Sequence, residues 1–534
     1  LKTTHESSLV TAHEISNILG LRSISHKFKR KNIICLLLVM TKQKEVTIME
    51  LQSIWTRSCE LRERPALDKD IKTEAAVIGG GMAGILTAWE LESAGVRTVV
   101  LEAERIGSGQ TGNTTAKITS QHGMFCSEFL ERKGKETAEK YVRANEEAVR
   151  EYKRIVKEKR IDCDLEQTDS YVYSSDEEAL EKEAAAAVRL GVNASMERKT
   201  EIPVACAGAV RFKDQAQFHP LKFAGALAEE LTVYENTPVK KAADNLLRTP
   251  AGSVEADKII FATHYPFINF PGMHFFRMHQ ERSYVLALEG AGNIRGMYIG
   301  DGPDALSFRQ FGKYLLLGGM GHRTGEKDGS SYAKLREQAE LLYPGSREIA
   351  CWSAQDCITA DRIPFIGQYS PEKPSWYVAS GFQKWGMTSS MVSALLLKDL
   401  VCERENPYTE VFIPSRFSAE EIPQIAKDSR RAVKGLAKRF FHLPGDTINM
   451  IEPGHAAVVK TPEGRAGVYK SEDNQIYQVD VVCPHLGCRL AWNQDERSWD
   501  CPCHGSRFDY KGNLLDGPAQ EGICLGGEVR EGDK

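Results

Sequence analysis

"EAAVIGGGMAGILTAWELESAGVRTVVLEAERIGSG", from Glu74 to Gly109, reads as an apolar strand, a glycine-rich turn, a helix and a second apolar strand. The turn has the spacing Gly79-x-Gly81-x-x-Gly84, and the second strand ends in the acidic Glu102. A glycine triplet alone is weak evidence. In this setting it meets the dinucleotide fingerprint: the glycines let the backbone approach a pyrophosphate at a helix N-terminus, and an acid about twenty residues on can hold a ribose hydroxyl pair. An α/β nucleotide-binding core of Rossmann type is predicted.

The chain around this core has 534 residues, enough for about three or four domain-sized units. With 42% hydrophobic and 27% charged residues and a formal net charge of −4, nothing in the balance points to nucleic acid. The longest apolar run, Ile33 to Met40, falls far short of the roughly 18 residues that span a bilayer, so no transmembrane helix is expected. It follows a basic "KFKRK" but starts well inside the chain and lacks a small-residue cleavage site, which argues against a signal peptide. Met49 is a more natural start than Leu1, so residues 1–48 are read as a mis-assigned or disordered leader. Of thirteen cysteines, eight (Cys35, Cys59, Cys126, Cys163, Cys206, Cys351, Cys357, Cys402) are scattered singly. They form no disulfide framework and suit a reducing compartment, so the cytoplasm is predicted.

The other end of the chain is denser in chemistry. Cys483 to Ser506 reads "CPHLGCRLAWNQDERSWDCPCHGS". Cys483-x-His485 and Cys501-x-x-His504 are separated by fifteen residues, with Cys488 and Cys503 as a further pair. Two thiolates and two imidazoles can hold tetrahedral zinc. They can also hold a [2Fe-2S] cluster, with the thiolates on one iron and the imidazoles on the other. Zinc needs neither the extra cysteine pair nor the matching turns "CPHLGC" and "CPCHGS", which favours the cluster.

These residues resemble the Rieske family, of the cytochrome bc complex type, over about the last ninety residues. The resemblance implies that Cys483, His485, Cys501 and His504 are the cluster ligands and that a Cys488–Cys503 disulfide ties the two loops. It further implies that Ser506 donates a hydrogen bond to a cluster sulfur, and that "DGPA", Asp516 to Ala519, is the proline loop over the cluster. Phe508 stands where high-potential members carry a tyrosine, so a lower potential is expected. Cys524 matches nothing and is expected to be a buried thiol. "HAAVVKT", "GRAGVYKS" and "QIYQVDVV" alternate like short strands, with turns at Pro462–Gly464 and Glu472–Asn474, so residues 446–534 are predicted to be a small all-β domain.

NAD and FAD share the N-terminal fingerprint, and the residues after it favour FAD. "GSGQTGNTTAKITSQHG" (Gly107–Gly123), "QFHPLKFAGALAEEL", "YENTPVKKA", "ADKIIFATH", "DRIPFIG" and "WYVASGFQKWGMTSSMVSALLL" follow in order. Together they resemble the D-amino-acid oxidase and glycine oxidase family from about Thr73 to about Arg416. This resemblance implies an FAD site drawing on Gly79, Gly81, Gly84, Glu102, Ser108, Gly109, Thr115, Val239, Ala262, Thr263, Gly367, Gly381, Trp385, Gly386 and Met387. A helix starting near Gly386 would aim its N-terminal dipole at the flavin pyrimidine. His264 stands where the family has a glycine, which leaves the backbone there open. Residues 151–203 and 266–345 do not fit the nucleotide core, and runs such as "SYVLALEG" and "KYLLLGG" suit an interleaved antiparallel substrate sheet. The flavin part is placed at 49–425 and a basic linker at 426–445.

Arg282, Arg309 and Arg323 are candidates for a substrate carboxylate, as one arginine serves in related oxidases, with an ion pair an equal alternative for each. Lys117 and His122 are candidates for proton transfer. "GAGNIRG" and "GGMGHRTG" read as turns, and "DEEALEKEAAAAVRLG" (176–191) as a solvated amphipathic helix. The expected function is an FAD-dependent oxidoreductase acting on an amine or amino-acid-like small molecule, its electrons leaving through the cluster to an external acceptor. Three alternatives remain at this point: reversed electron flow, an NAD(P)H-dependent ferredoxin-type reductase, and a non-catalytic redox sensor or electron carrier. The lack of a second fingerprint counts against the reductase.

Overall fold

The computed structural model describes residues 51–302, 304–326, 329–441, 448–462 and 464–525. The leader expected over 1–48 lies outside them. The strand Ile71–Ile78 lies inside a mostly parallel sheet whose order is Phe365–Ser370, Lys373–Ser380, Ser253–Phe261, Ile71–Ile78, Thr98–Leu101, Thr232–Tyr234. Strands covered on both faces are continuously apolar, hence "AAVI" and "TVVL" rather than an alternation. The helix Met82–Ser93 is buried at every position from Met82 to Leu91. A Cβ at Gly84 would lie 1.9 Å from the Gly79 carbonyl oxygen, so only glycine lets the helix close on the turn before it.

The second sheet has nine strands in the order Arg347–Thr359, Met278–Glu289, Tyr314–Arg323, Ser307–Phe311, Met297–Gly300, Glu166–Ser174, Gly208–Gln217, Lys117–Ile118, with Ala194–Glu197 also on Gly208–Gln217. It reaches beyond the two stretches expected to form it: Gly208–Gln217 and Arg347–Thr359 lie outside them, while much of 151–203 is helical. One of those helices, Glu177–Arg189, is more than a solvated face. Its buried Glu183 accepts the Cys126 and Ser127 N–H groups at 2.7 and 2.8 Å, capping the helix Cys126–Lys159.

At the edge of this sheet, Met278–Glu289 and Arg347–Thr359 form an antiparallel ribbon in which Glu281 faces Asp356 and Arg282 faces Gln355. Side chains alternate across a strand. One face therefore carries His279, Glu281, Ser283, Ala354 and Asp356, and the other carries Gln280, Arg282, Ser353 and Gln355.

The C-terminal part holds a three-stranded sheet, Ala456–Thr461, Gly464–Lys470 and Ile476–Asp480, and a four-stranded one, Ala491–Asn493, Ser498–Asp500, Arg507–Asp509 and Leu514–Asp516. Val479, Leu490, Trp499, Phe508 and four cysteines make its core. Ile523 fills that core, and the alternation turns Cys524 outward, so Cys524 is exposed rather than buried. The stretch expected to be a linker is mainly the helix Ile422–Phe441, and residues 442–445 of it lie outside the described residues. Asp428 on that helix pairs with Arg323 and His279 of the flavin part. Among the described residues, no helix is long and apolar enough to cross a membrane.

Candidate cofactor and substrate sites

The two C-terminal loops have the same construction. Gly487 N–H donates to the Cys483 carbonyl at 2.9 Å and Gly505 N–H to the Cys501 carbonyl at 3.0 Å, so each cysteine opens a tight turn. The turns set the His485 and His504 rings perpendicular, with centroids 4.8 Å apart. Both Nδ1 atoms are buried and have no hydrogen-bond partner among the described residues. Burial also pulls the imidazoles down to about 4 and about 3, which keeps them in the neutral, metal-binding form. Cys488 and Cys503 are joined as a disulfide. The sulfurs of Cys488, Cys501 and Cys503 lie within 4.8 Å of one another, but with Cys488 bonded to Cys503, only Cys501 of the three offers metal a thiolate. Ser506, fully buried, accepts the Ala519 N–H at 3.0 Å and hydrogen-bonds Cys483. Two thiols and two orphaned imidazole nitrogens on paired loops fit a [2Fe-2S] cluster.

A cavity of about 390 Å³ opens at the N-terminal glycine turn. Gly79, Gly81, Glu102, Ser108, Gly109, Val239, Ala262, Thr263, Gly386 and Met387 line it. Glu102 accepts N–H groups from Gly80 at 2.5 Å and Glu104 at 2.9 Å, and burial raises its pKa. A glycine turn at a helix N-terminus beside a buried acid fits the dinucleotide of FAD. His264 lines the same cavity with φ +64°, so it keeps the left-handed backbone a glycine would adopt.

Five of the residues expected at FAD do not line this cavity. Gly84 packs on the Gly79 carbonyl, Gly367 on the Pro414 ring and Gly381 on the Thr359 side chain. Thr115 and Trp385 line a neighbouring, larger cavity of about 900 Å³. The two cavities share a wall of Thr114, Ala354, Asp356, Gln383, Lys384, Gly386 and Met387. The helix Gly386–Val401 starts on this wall and directs its N-terminal dipole there.

Neither Arg309 nor Arg282 reaches the larger cavity. Arg309 is held by Gln217 Oε1 at 3.0 Å and by the carbonyls of Thr115, Ala116 and Phe218. Its fork answers loop carbonyls that no strand satisfies. Arg282 turns to the opposite face of the ribbon and pairs with Glu496 of the Rieske part. Arg323 does line the cavity, yet it is engaged by Asp428 and by the Cys503 carbonyl. His122 also lines this cavity; it is stacked on Trp385 at 4.8 Å, bonded to Tyr141 and Thr388, and driven down to about 3 by burial, so its imidazole is neutral. Lys117 faces the cavity, contacts Thr115 Oγ1 at 3.2 Å and Ser307 Oγ at 3.5 Å, and is pulled down to about 7 by burial and by Arg309.

The sequence reading passed over Asp356, on the shared wall, whose carboxyl burial pushes up to about 6. It also passed over the docking of the Rieske part. Gln280 donates to the His504 and Gly517 carbonyls at 2.7 and 3.0 Å, and Gln355 to the Gly505 carbonyl at 2.9 Å. Gly505 has φ +84°, and a Cβ there would meet Gln280 at 2.6 Å. His485 Nε2 meets Asn269 Oδ1 at 2.8 Å, and the edge of Phe275 packs on both imidazoles. Leu514 to Gly517, with Ala519 and Gln520, complete the wall of the FAD cavity. One signal was available: "HQERS" and "SAQDC" place polar residues on both phases of strands, which a strand facing solvent on one side does not need.

Residues 74–400 match the family described as FAD dependent oxidoreductase (DAO), and residues 446–525 match the Rieske [2Fe-2S] domain. The chain is 37% identical to the Rieske 2Fe-2S iron-sulfur protein YhfW of Bacillus subtilis (strain 168), over 88% of this chain and 96% of that protein. In fold it is similar to glycine oxidase from Geobacillus kaustophilus, with a TM-score of 0.55 at 18% identity over 65% of this chain and all of that one. It is likewise similar to L-proline dehydrogenase from P. horikoshii, with a TM-score of 0.57 at 19% identity over 66% of this chain and 98% of that one.

Proposed function

Because the chain belongs to the FAD dependent oxidoreductase family and carries a Rieske [2Fe-2S] domain, we propose that it is a dehydrogenase for an amine or amino-acid-like substrate that reduces an external acceptor. When bound, FAD accepts the hydride leaving a carbon bonded to nitrogen, and a [2Fe-2S] cluster supplies one-electron transfer.

The observation that carries this reading is the ribbon of Met278–Glu289 and Arg347–Thr359. Its Asp356 face borders the cavity beside the FAD site, and its Gln280 and Gln355 face holds the cluster loops. The substrate cavity and the cluster are thus separated by the thickness of one sheet. Gly79, Gly81, Glu102, Ser108, Gly109, Val239, Ala262, Thr263, Gly386 and Met387 hold FAD in this reading, and Trp385 and Thr115 line the substrate side. Cys483, His485, Cys501 and His504 hold the cluster, Ser506 orients the Cys483 sulfur, and the Cys488–Cys503 bridge braces the loops. Leu486 beside His485 and Phe276 beside Phe275 are exposed, giving an acceptor protein an apolar approach. The scattered single cysteines favour a cytoplasmic setting.

Anaerobic mixing of the holoprotein with a panel of amines and amino acids tests the reading. Bleaching of the flavin by a member of the panel, followed by the EPR signal of the reduced cluster, is the expected result. A flavin that no member bleaches would overturn it.

A further inference from the structure

The cavity face of the ribbon sets Glu281 directly opposite Asp356. Like charges at facing positions of an antiparallel pair repel, so the arrangement costs stability unless a cation answers it. His279 Nε2 and Lys384 Nζ lie 3.4 and 3.8 Å from Glu281, and Lys384, on a side chain that is half exposed, also favours the charged form of Asp356. The one hydrogen bond Asp356 accepts among the described residues comes from Ser283 Oγ, at 3.1 Å.

Asp356 also lines both cavities, on the wall where a substrate would meet the flavin. The arginines that could have bound a carboxylate are spent elsewhere: Arg309 on backbone carbonyls, Arg282 on Glu496, Arg323 on Asp428. Lys117 lines the larger cavity and, among the described residues, contacts hydroxyls and no carboxylate, so it stays open to an anionic group.

We propose that Asp356, with Glu281 across the ribbon, binds the ammonium group of a cationic amine substrate. This rests on the amine dehydrogenase reading and names the residue that holds the nitrogen. The ammonium relieves the repulsion between the opposed carboxylates, and the carbon bonded to nitrogen is then held at the shared wall, beside Gly386 and Met387. Holding a charged group in a partly desolvated site makes the contribution larger than a surface pair would give.

The full-length holoprotein is titrated with tert-butylammonium chloride, a cation with no hydrogen on the carbon next to nitrogen. Perturbation of the flavin absorbance reports binding without turnover. The expected result is saturable binding of tert-butylammonium, weakened at least about tenfold in Asp356→Asn and restored in Asp356→Glu. Unchanged tert-butylammonium affinity in Asp356→Asn would overturn the proposal. The two readings fail separately. Amino acids bleaching the flavin while tert-butylammonium leaves it unperturbed sinks the ammonium site alone. A flavin left oxidised by every amine, with tert-butylammonium still bound through Asp356, sinks amine oxidation and leaves the cation site standing.

Discussion

On the face of the ribbon that meets the Rieske part, Gln280, Arg282, Ser353 and Gln355 each end on a partner from the other domain. On the opposite face, Glu281 and Asp356 stand against each other above open volume. Both faces are polar, yet their polarity means different things. Where each buried group is answered by protein, the surface is a fixed joint. Where a carboxylate such as Asp356 faces a cavity with one hydroxyl bonded to it among the described residues, a ligand can complete it.

The largest expected effect lies on the closed face. Glu496 is buried between Arg282 and Arg507. Removing its charge in Glu496→Gln takes from Arg282 its nearest carboxylate and leaves Arg507 with Asp500 and Asp516, and a loss of about 1.5–3 kcal/mol in denaturant unfolding is expected. A loss below about 1 kcal/mol, the range of an exposed pair, would show that the joint is not held there.

Next comes the open face. Burial and Glu281 favour the neutral form of Asp356, while Lys384, Ser283 and Arg282 favour the charged form, leaving it at about 6. Protonation removes the charge that holds the ammonium. The kcat/KM for an amine should therefore fall about tenfold per pH unit below about pH 6, and Asp356→Asn should abolish that limb. A limb unchanged in the variant would assign it to another group.

Gln280→Ala removes hydrogen bonds to both the His504 and Gly517 carbonyls, about 1 kcal/mol each. Since Gly517 helps to wall the FAD cavity, faster FAD loss during gel filtration is expected alongside a looser Rieske part. The smallest effect belongs to Asn269→Ala. Without the carbonyl oxygen at His485 Nε2, the imidazole gives less electron density to the cluster. A potential raised by roughly tens of millivolts is expected, with the flavin's unchanged. An equal shift in both would point to a wider rearrangement.

The same contrast explains what could be read from the sequence. The cluster loops were legible because Cys483, His485, Cys501 and His504 fall in one stretch whose spacing is itself the chemistry. The glycine turn was legible for the same reason. Asp356 was not, because its role comes from a strand register with Glu281, far away in the chain. Arg282 and Arg309 were left open between a substrate carboxylate and an ion pair, because a charge in a strand does not say which face it takes. The helix Ile422–Phe441 was hidden by its basic composition, which reads as a solvated linker until Asp428 is seen against Arg323.

The most direct measurement is an anaerobic redox titration of the holoprotein, following flavin by absorbance and cluster by low-temperature EPR in the same samples. A cluster potential above the two-electron potential of the flavin is the expected result, with electrons falling from the amine side towards the acceptor. A cluster potential below it would contradict the account and make the cluster the entrance.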